Sequence, residues 1–178
     1  MKTKILLIIT TLLFASFTGA AMAEPKNGFS LNAGLANHNR DCNGCAASKT
    51  SGLNLGLDYQ FALSNNFSIN PFLMSSSETF SNSSGTTLGH GILGVQARYW
   101  IDDVFVGAHV GSYSEVIANS GVSISGSGGG AGLVAGWEKP DGGLYVMGQY
   151  DSATVNYASL AINQKFTGFR LSVGYRWK

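Results

Sequence analysis

The chain ends on Gly168-Phe-Arg-Leu-Ser-Val-Gly-Tyr-Arg-Trp-Lys178, and this stretch decides the fold class. Large apolar residues alternate strictly with arginines and small residues, a period of two that indicates a β-strand with two different faces. The apolar face ends in Tyr175 and Trp177, whereas the other face carries Arg170 and Arg176. Such an apolar face packs on the core of a soluble sandwich, or it faces lipid in a transmembrane barrel, where aromatic residues lie between hydrocarbon and water.

The other end of the chain has the features of a secretory signal peptide. Two lysines precede an apolar run from Ile5 to Phe17, and the small residues Ala21 and Ala23 occupy the positions that a signal peptidase reads. The run is too short and wrongly flanked to be a transmembrane helix. We therefore expect cleavage after Ala23, with residues 1–23 as the signal peptide and residues 24–178 as one domain.

Charge and composition narrow the class of protein. Without the two signal-peptide lysines, nine basic residues face ten acidic ones, a net charge of −1 that gives no indication of a nucleic-acid partner. No later apolar stretch approaches the length of a membrane helix, so a mature chain that crosses a membrane must do so with strands. The 24 glycines and 3 prolines fit neither a helical bundle nor a disordered chain. Small residues on an inner face allow a narrow barrel to close.

Eight segments of the mature chain are predicted to be strands. The second is the cleanest, with large apolar residues from Leu53 to Phe61 opposite small or polar ones. The third contains Pro71, which lacks a hydrogen-bond donor, so we expect a bulge or an altered register there. The eight segments lie at about 28–37, 51–61, 67–75, 89–101, 104–115, 131–139, 143–151 and 168–178.

The connections between these segments alternate in predicted length. Three are short, at 62–66, 102–103 and 140–142, and four are long and rich in Ser, Asn, Gly and Thr, at 37–50, 76–88, 116–130 and 152–165. Short periplasmic turns and long extracellular loops are typical of transmembrane barrels. The sequence thus predicts an all-β, eight-stranded, antiparallel up-and-down transmembrane β-barrel with both termini in the periplasm.

Two segments carry a resemblance to a known family. Ala97-Arg-Tyr-Trp-Ile-Asp-Asp103, with the following residues 104–113, and Gly168–Trp177 resemble the small eight-stranded outer-membrane barrels of the OmpA/OmpX type. The resemblance implies a bacterial outer-membrane location and a C-terminal assembly signal, although Lys178 follows the aromatic residue on which the family usually ends. It also implies contacts with outer-membrane lipid and lipopolysaccharide, with periplasmic chaperones and with the barrel assembly machinery. The assembly signal comprises Phe169, Leu171, Val173, Tyr175 and Trp177.

The charges on the inner face predict a closed lumen. An eight-stranded barrel is just wide enough for its interior to be filled by side chains, and charges buried there must be paired. A pore or proton path is the alternative, but the packing argument favours a hydrogen-bonded plug. The predicted ion-pair network has three charges of each sign: Asp58, Glu138, Asp151, Arg98, Arg170 and Arg176.

Cys42-Asn-Gly-Cys45 lies in the first predicted loop and could carry chemistry. A redox pair would need a helix N-terminus beside a βαβ unit, and haem attachment would need a histidine where Ala46 stands. A zinc site would have to recruit His38 and Asp41, without a second cysteine pair. We expect Cys42 and Cys45 to form a disulfide that staples the loop in an oxidising compartment, with no metal or cofactor.

The histidines offer a possible catalytic centre. His109 lies on the inner face of the fifth strand, with Tyr113 and Glu115 further along the same face. A Ser-His-acid hydrolase needs a serine within hydrogen-bond reach, and Ser114 falls on the opposite face. We therefore predict His109 to be an interior histidine with satisfied hydrogen bonds and His38 and His90 to be rim residues, with no catalytic residue.

Three functions fit these features. The first is a non-catalytic outer-membrane barrel that acts through its extracellular loops in surface interaction, adhesion or envelope integrity, with a possible host or surface ligand. The second is a lipid A-modifying enzyme, because lipid A deacylases and palmitoyltransferases are barrels of similar size. The third is a soluble secreted barrel that binds a small hydrophobic ligand, which requires the apolar face to line the cavity. Balanced charges and glycines on one face argue for a tight polar interior and favour the first function.

Overall fold

The computed structural model describes residues 25–42, 47–82, 85–140 and 143–177, which form one closed β-barrel. Each strand pairs antiparallel with its neighbours in the sequence, and the first strand also pairs with the last. Within the described residues, no helix is long and apolar enough to cross a membrane. The elements are β1 (Gly28–Cys42), β2 (Ser48–Ser64), β3 (Phe67–Phe80), β4 (Thr86–Ile101), β5 (Val104–Asn119), β6 (Val122–Glu138), β7 (Gly143–Tyr157), a short 3₁₀ helix (Ala158–Leu160) and β8 (Ile162–Trp177).

The predicted fold class is confirmed: the chain is an eight-stranded antiparallel up-and-down barrel. The start of β1 lies beside the end of β8, with Phe29 paired to Trp177. We call this end of the barrel the terminal end, and the opposite end, which carries the β1–β2, β3–β4, β5–β6 and β7–β8 connections, the outer end. The predicted signal peptide, residues 1–23, and Cys45 lie outside the described residues.

The strands extend further towards the outer end than the sequence predicted. The four ranges expected to be long loops are largely strand, and the connections there are only two to five residues long. β1, for example, continues to Cys42, and β6 already begins at Val122. These outer segments have polar residues on both faces, so they lack the alternation by which a strand is detected in a sequence.

The β5–β6 connection is the tightest at the outer end. Ser120 and Gly121 both have positive φ, 46° and 87°, as in the type I′ turn that matches the twist of a two-stranded hairpin. β6 pairs with β5 from Val122 onward but with β7 only from Ser127 onward. Residues 122–126 therefore form the free edge of a protruding hairpin, which we call the outer hairpin.

Pro71 does not cause the expected bulge. The β2–β3 register is the same on both sides of it, with Asp58 opposite Phe72 and Phe61 opposite Ile69, and only the pairs between them are missing. The missing amide hydrogen interrupts the ladder without shifting it. The register shift lies instead next to the β2–β3 turn, between Ala62 and Ser64, so the prediction of a bulge at Pro71 was wrong.

The outer surface is an apolar belt. In the closing strand, the five apolar side chains of the predicted assembly signal are between 49% and 53% exposed, whereas Arg170 and Arg176 are buried. The predicted faces of β8 are therefore confirmed. Aromatic rings gather at the terminal end, where Phe29 stacks on Trp177 at 6.1 Å between ring centroids. A continuous belt of this kind is suited to hydrocarbon rather than to water.

The inner face of β6 is a row of glycines that leaves room for rings from β5. A Cβ on Gly132 would lie 2.4 Å from His109 Cε1, and one on Gly136 would lie 2.4 Å from Phe105 Cζ. Only glycine allows these rings to lie against the wall at such close approach. The row thus determines how deeply the β5 side chains reach across the lumen.

Candidate functional site

The lumen near the terminal end contains a balanced group of two arginines and two carboxylates. Arg176 contacts both acids, with Nη1 3.1 Å from Asp58 Oδ1 and Nε 3.1 Å from Glu138 Oε2. Arg98 Nη2 lies 3.8 Å from Asp58 Oδ2. All four residues are buried. Two opposite pairs cancel in charge, which a low-dielectric interior requires.

Polar and aromatic neighbours complete this terminal group. Ser30 donates a hydrogen bond to Asp58, and Asn70 Nδ2 donates another to Asp58 Oδ1 at 3.1 Å. The guanidinium of Arg98 lies over the Phe105 ring, 4.7 Å from its centroid. These contacts fix the orientation of the charged side chains in the terminal group.

The middle of the lumen is organised around one carboxylate. Asp151 receives hydrogen bonds from Arg170, from Gln149 Nε2 at 2.9 Å and from the Tyr113 hydroxyl at 3.0 Å, and His109 Nε2 lies 3.0 Å from it. Its charge is balanced by Arg170, and its two oxygens are fully engaged. His109 is an interior histidine, as the sequence predicted, but its Nδ1 has no hydrogen-bond partner among the described residues, so its hydrogen bonds are not all satisfied as expected.

Two glutamines link the middle of the lumen to the terminal group. Gln96 Nε2 lies 3.3 Å from Gln149 Oε1, and Arg98 Nη2 donates to Gln96 Oε1 at 2.6 Å. The six charged residues expected in the lumen are therefore all buried, and they lie in two groups joined by amide side chains.

A third charged group lies near the outer end, and the sequence analysis did not identify it. We call the five residues His38, Arg40, Glu78, His90 and Glu115 the outer cluster. Their side chains are at most 1% exposed. Arg40 and Glu78 fell within ranges expected to be loops. The prediction that His38 and His90 are rim residues was wrong, because the strands continue beyond them and enclose both rings.

Each carboxylate of the outer cluster has its own set of partners. Glu115 Oε1 lies 2.7 Å from Arg40 Nη1 and 2.8 Å from His90 Nδ1. Glu78 Oε2 lies 2.9 Å from His38 Nδ1 and 3.7 Å from Arg40 Nη2. The two imidazoles stack with ring centroids 5.4 Å apart and planes 13° apart.

Aromatic rings separate the outer cluster from the middle of the lumen. Phe166 packs edge-on against His90 at 5.0 Å and against Tyr113 at 5.5 Å between ring centroids. His90 also packs against Tyr113 at 5.6 Å. The chain of polar contacts that runs up from the terminal end thus meets a layer of rings below the outer cluster.

The directions of the apolar and polar strand faces test the alternative that the protein is a soluble carrier of a hydrophobic ligand. Such a carrier needs the apolar row of the strands around its cavity, whereas here that row is exposed on the outside and the lumen is filled by charged, amide and aromatic side chains together. A groove of about 620 Å³ lies on the outer apolar belt, beside Leu31, Leu55 and Tyr175. That surface faces outward, so the interior arrangement that the carrier hypothesis requires is contradicted.

The histidine contacts bear on the enzyme alternative. Each of the three histidines lies within 3.0 Å of a carboxylate oxygen, and the second contact of His109 is to the Tyr113 hydroxyl rather than to a serine. Ser114 lies on the outer face of β5, as its position in the alternation predicted. Within the described residues, no group of three or more His, Cys, Asp or Glu side chains is placed to hold a metal ion.

The cysteine motif is only partly described. Cys42 is the last residue of β1, and Cys45 lies outside the described residues, so their pairing remains a prediction. His38, which a zinc site would have to recruit, points into the lumen and contacts Glu78. It is therefore not available to the loop.

Solved structures share this architecture. Ail, the attachment invasion locus protein of Yersinia pestis, superposes with a TM-score of 0.59 at 18% identity, over 86% of this chain and 100% of Ail. The Neisserial surface protein A, NspA, superposes with a TM-score of 0.60 at 14% identity, over 84% of this chain and 97% of NspA. This chain has the fold of the small eight-stranded outer-membrane β-barrels. No family model and no curated protein matches the sequence.

An outer-membrane barrel of this kind has its lumen, rather than a surface cleft, as its main polar interior. In this chain the lumen holds paired charges at three levels: the terminal group, the Asp151–Arg170 pair and the outer cluster. The geometry can hold the strands in register and block passage along the axis.

Proposed function

We propose that the protein is a non-catalytic integral outer-membrane β-barrel with a closed lumen, exported by a signal peptide that covers residues 1–23. Its terminal end faces the periplasm, and its outer end faces the medium and acts in surface interaction, adhesion or envelope integrity. The observation that carries this proposal is the combination of a continuous outer apolar belt with a lumen of buried, paired charges.

The lumen supports a plug rather than a pore. Opening a path along the axis would separate Arg176 from Asp58 and Glu138, and Arg170 from Asp151. Breaking one buried ion pair destabilises a protein by about 3–5 kcal/mol. We therefore expect purified protein in planar bilayers to show no steady ion conductance at neutral pH.

The outer hairpin supports a role in surface interaction. Residues 122–126 present an unpaired strand edge whose residues include neither the lysine nor the proline that commonly protect such edges. An edge of this kind can add an extended segment of another protein as a further strand. We propose such a segment of a surface or host protein as the partner. Ail, which has the same fold, is named for attachment and invasion.

Fractionation and electrophoresis test the location and the fold together. We expect the protein in the outer-membrane fraction, cut after Ala23, and soluble only with detergent. Unboiled samples should migrate as a compact band that shifts on boiling, because a closed hydrogen-bond ladder resists detergent at room temperature. Recovery of the protein in the soluble periplasmic fraction would contradict the proposal.

A charge placed on the free edge tests the surface role. Ser123→Lys with Ser125→Lys should reduce the binding of expressing cells to cultured epithelial cells and to immobilised matrix proteins, because edge lysines oppose strand addition. Thr87→Lys is the matched control, since Thr87 is exposed at the outer end but paired on both sides, with Thr79 and Ala118. Equal effects of both changes would contradict the edge as the contact.

Two experimental outcomes would each support a different function. If neither variant changes cell binding, while loss of the whole protein makes cells sensitive to detergent, the role is envelope integrity. If the purified protein releases or transfers acyl chains from labelled lipid A, it is an enzyme. We expect no turnover of lipid A.

A further inference from the structure

The outer cluster carries an imbalance of charge if both histidines are neutral. Arg40 supplies one positive charge, whereas Glu78 and Glu115 supply two negative ones, and all three side chains are fully buried. An uncompensated charge in such a place is strongly unfavourable, so a further cation or proton is required.

No second fixed cation reaches this site among the described residues. Arg170, the next cation along the lumen, is paired with Asp151, and Lys49 and Lys165 lie on the exposed outer face. β6 contributes glycine and Ile124 at this level but no titratable group. The titratable and charged groups that face the cluster are His38 and Arg40 from β1, Glu78 from β3, His90 from β4, Tyr113 and Glu115 from β5, Tyr157 from β7 and Arg170 from β8.

The distances assign Arg40 to one carboxylate. Its Nη1 lies 2.7 Å from Glu115 Oε1, whereas its Nη2 lies 3.7 Å from Glu78 Oε2. Glu115 thus has a close guanidinium, and the Tyr157 hydroxyl donates to its other oxygen at 2.5 Å. His90 can complete this arrangement as a neutral ring that donates from Nδ1.

Glu78 has a different environment. Its close partners are the Thr50 hydroxyl at 2.5 Å, the Ser76 hydroxyl at 2.6 Å and His38 Nδ1 at 2.9 Å. Among these, only His38 can carry a positive charge. Nε2 of His38 and Nε2 of His90 both lack a hydrogen-bond partner in the described residues, so either ring could accept a proton there without breaking a bond. The closer approach of Arg40 to Glu115 than to Glu78 is what favours His38.

We propose that His38 is an imidazolium that serves as the counter-ion of Glu78, while the stacked His90 remains neutral. Two positively charged rings 5.4 Å apart would repel each other, so only one of the two stacked imidazoles carries the additional proton that makes it an imidazolium. The outer end of the barrel is thereby closed by a proton-dependent latch: loss of the proton from His38 leaves Glu78 with only the longer, 3.7 Å ion pair to Arg40. The ion pair contributes stability only while His38 carries the proton and Glu78 carries its charge.

Nuclear magnetic resonance of the full-length mature protein tests the assignment directly. The chain has three histidines, and ¹⁵N-histidine labelling in detergent micelles resolves each imidazole by its one-bond and two-bond proton couplings. At pH 7 we expect His38 to show two protonated nitrogens and His90 to show Nδ1–H and a bare Nε2. His38→Gln and His90→Gln samples assign the signals. A neutral His38 or a charged His90 at pH 7 overturns the proposal.

Variants test the latch through stability. His38→Gln removes the close cation of Glu78 and leaves only Arg40 at 3.7 Å, so the folded band in unboiled samples should disappear at a lower temperature than in the wild type. Adding Glu78→Gln to that variant should recover most of the lost thermal stability. The stability of the double variant should not fall at alkaline pH, whereas that of the wild type should. His90→Gln is the matched control and should keep that pH dependence.

The result does not depend on every variant folding. If His38→Gln fails to insert, Glu78→Gln alone serves, because removal of the carboxylate should allow His38 to lose its proton at a lower pH in the same spectra. An unchanged His38 titration in Glu78→Gln, or a double variant no more stable than His38→Gln, overturns the proposal.

Discussion

At the scale of single residues, Arg176 shows how one side chain joins distant strands. It stands on β8 and contacts Asp58 on β2 and Glu138 on β6, so it spans the lumen at the terminal end. Its guanidinium also lies over the Tyr145 ring of β7, 5.5 Å from the centroid. Its Nη1 also donates to the Gly28 carbonyl oxygen of β1 at 3.3 Å, so one residue connects five of the eight strands.

The loss of Arg176 should be severe. Arg176→Met leaves two buried carboxylates with one remaining arginine, Arg98, and should lower the free energy of unfolding by about 3–5 kcal/mol. Urea unfolding in detergent micelles, followed by tryptophan fluorescence, measures this. Lys139→Met, outside the strands, is the control and should change stability little. A loss below about 1 kcal/mol for Arg176→Met would show that the pairing is weak.

A methyl group on the β6 glycine row should also be poorly tolerated. Gly132→Ala places a Cβ against the backbone oxygen of Tyr150 and against His109 Cε1, an overpacking that costs about 1–3 kcal/mol. Gly129→Ala is the matched control on the same strand, since its Cβ would face outward, 4.0 Å from its nearest neighbour, Gly111 O. The same unfolding experiment compares the two, and equal losses would contradict the role of the row.

At the scale of elements, the closing strand shows why the sequence predicted so much of the fold. From Gly168 to Trp177 in β8, large apolar residues on the outside alternate with arginines and small residues in the lumen, so alternation identifies both the strand and its faces. The strands of the outer end have no such contrast, and their polar residues therefore indicated loops. Arg40, Glu78 and the buried state of His38 and His90 were missed for this reason. No local pattern could have shown that four strands bring them together.

The faces of β8 can be tested by mutation. Leu171→Arg or Val173→Arg places a cation in the belt, which costs about 2–4 kcal/mol at the midplane of a membrane, and should reduce the amount of assembled barrel. Ser172→Thr is the control, because Ser172 faces the lumen, where its hydroxyl lies 3.2 Å from Asn54 Nδ2. The ratio of the compact band to the boiled band measures assembly. Similar tolerance at all three positions would mean that the faces are reversed.

At the scale of the whole molecule, the barrel should be independent of the first outer connection. The predicted Cys42–Cys45 disulfide closes a very small ring, which removes little entropy from the unfolded chain. Replacing both cysteines by serine should leave folding and membrane insertion intact. Mass measurement with and without reduction tests the bond, and the heat-modified band of the double variant tests the barrel. Two free thiols, or failure to insert, would contradict the expectation.

The pairing of β1 with β8 has a consequence for the order of events during biogenesis. Phe29 finds its partner only when Trp177 has arrived, 148 positions later in the chain, so the cylinder cannot close while synthesis or export is under way. Until then, the first and last available strands expose open edges that are prone to aggregation. Contacts between such distant residues also form slowly. A chain cut before β8 would lack the pairing of β1 with β8 and could not close into a barrel.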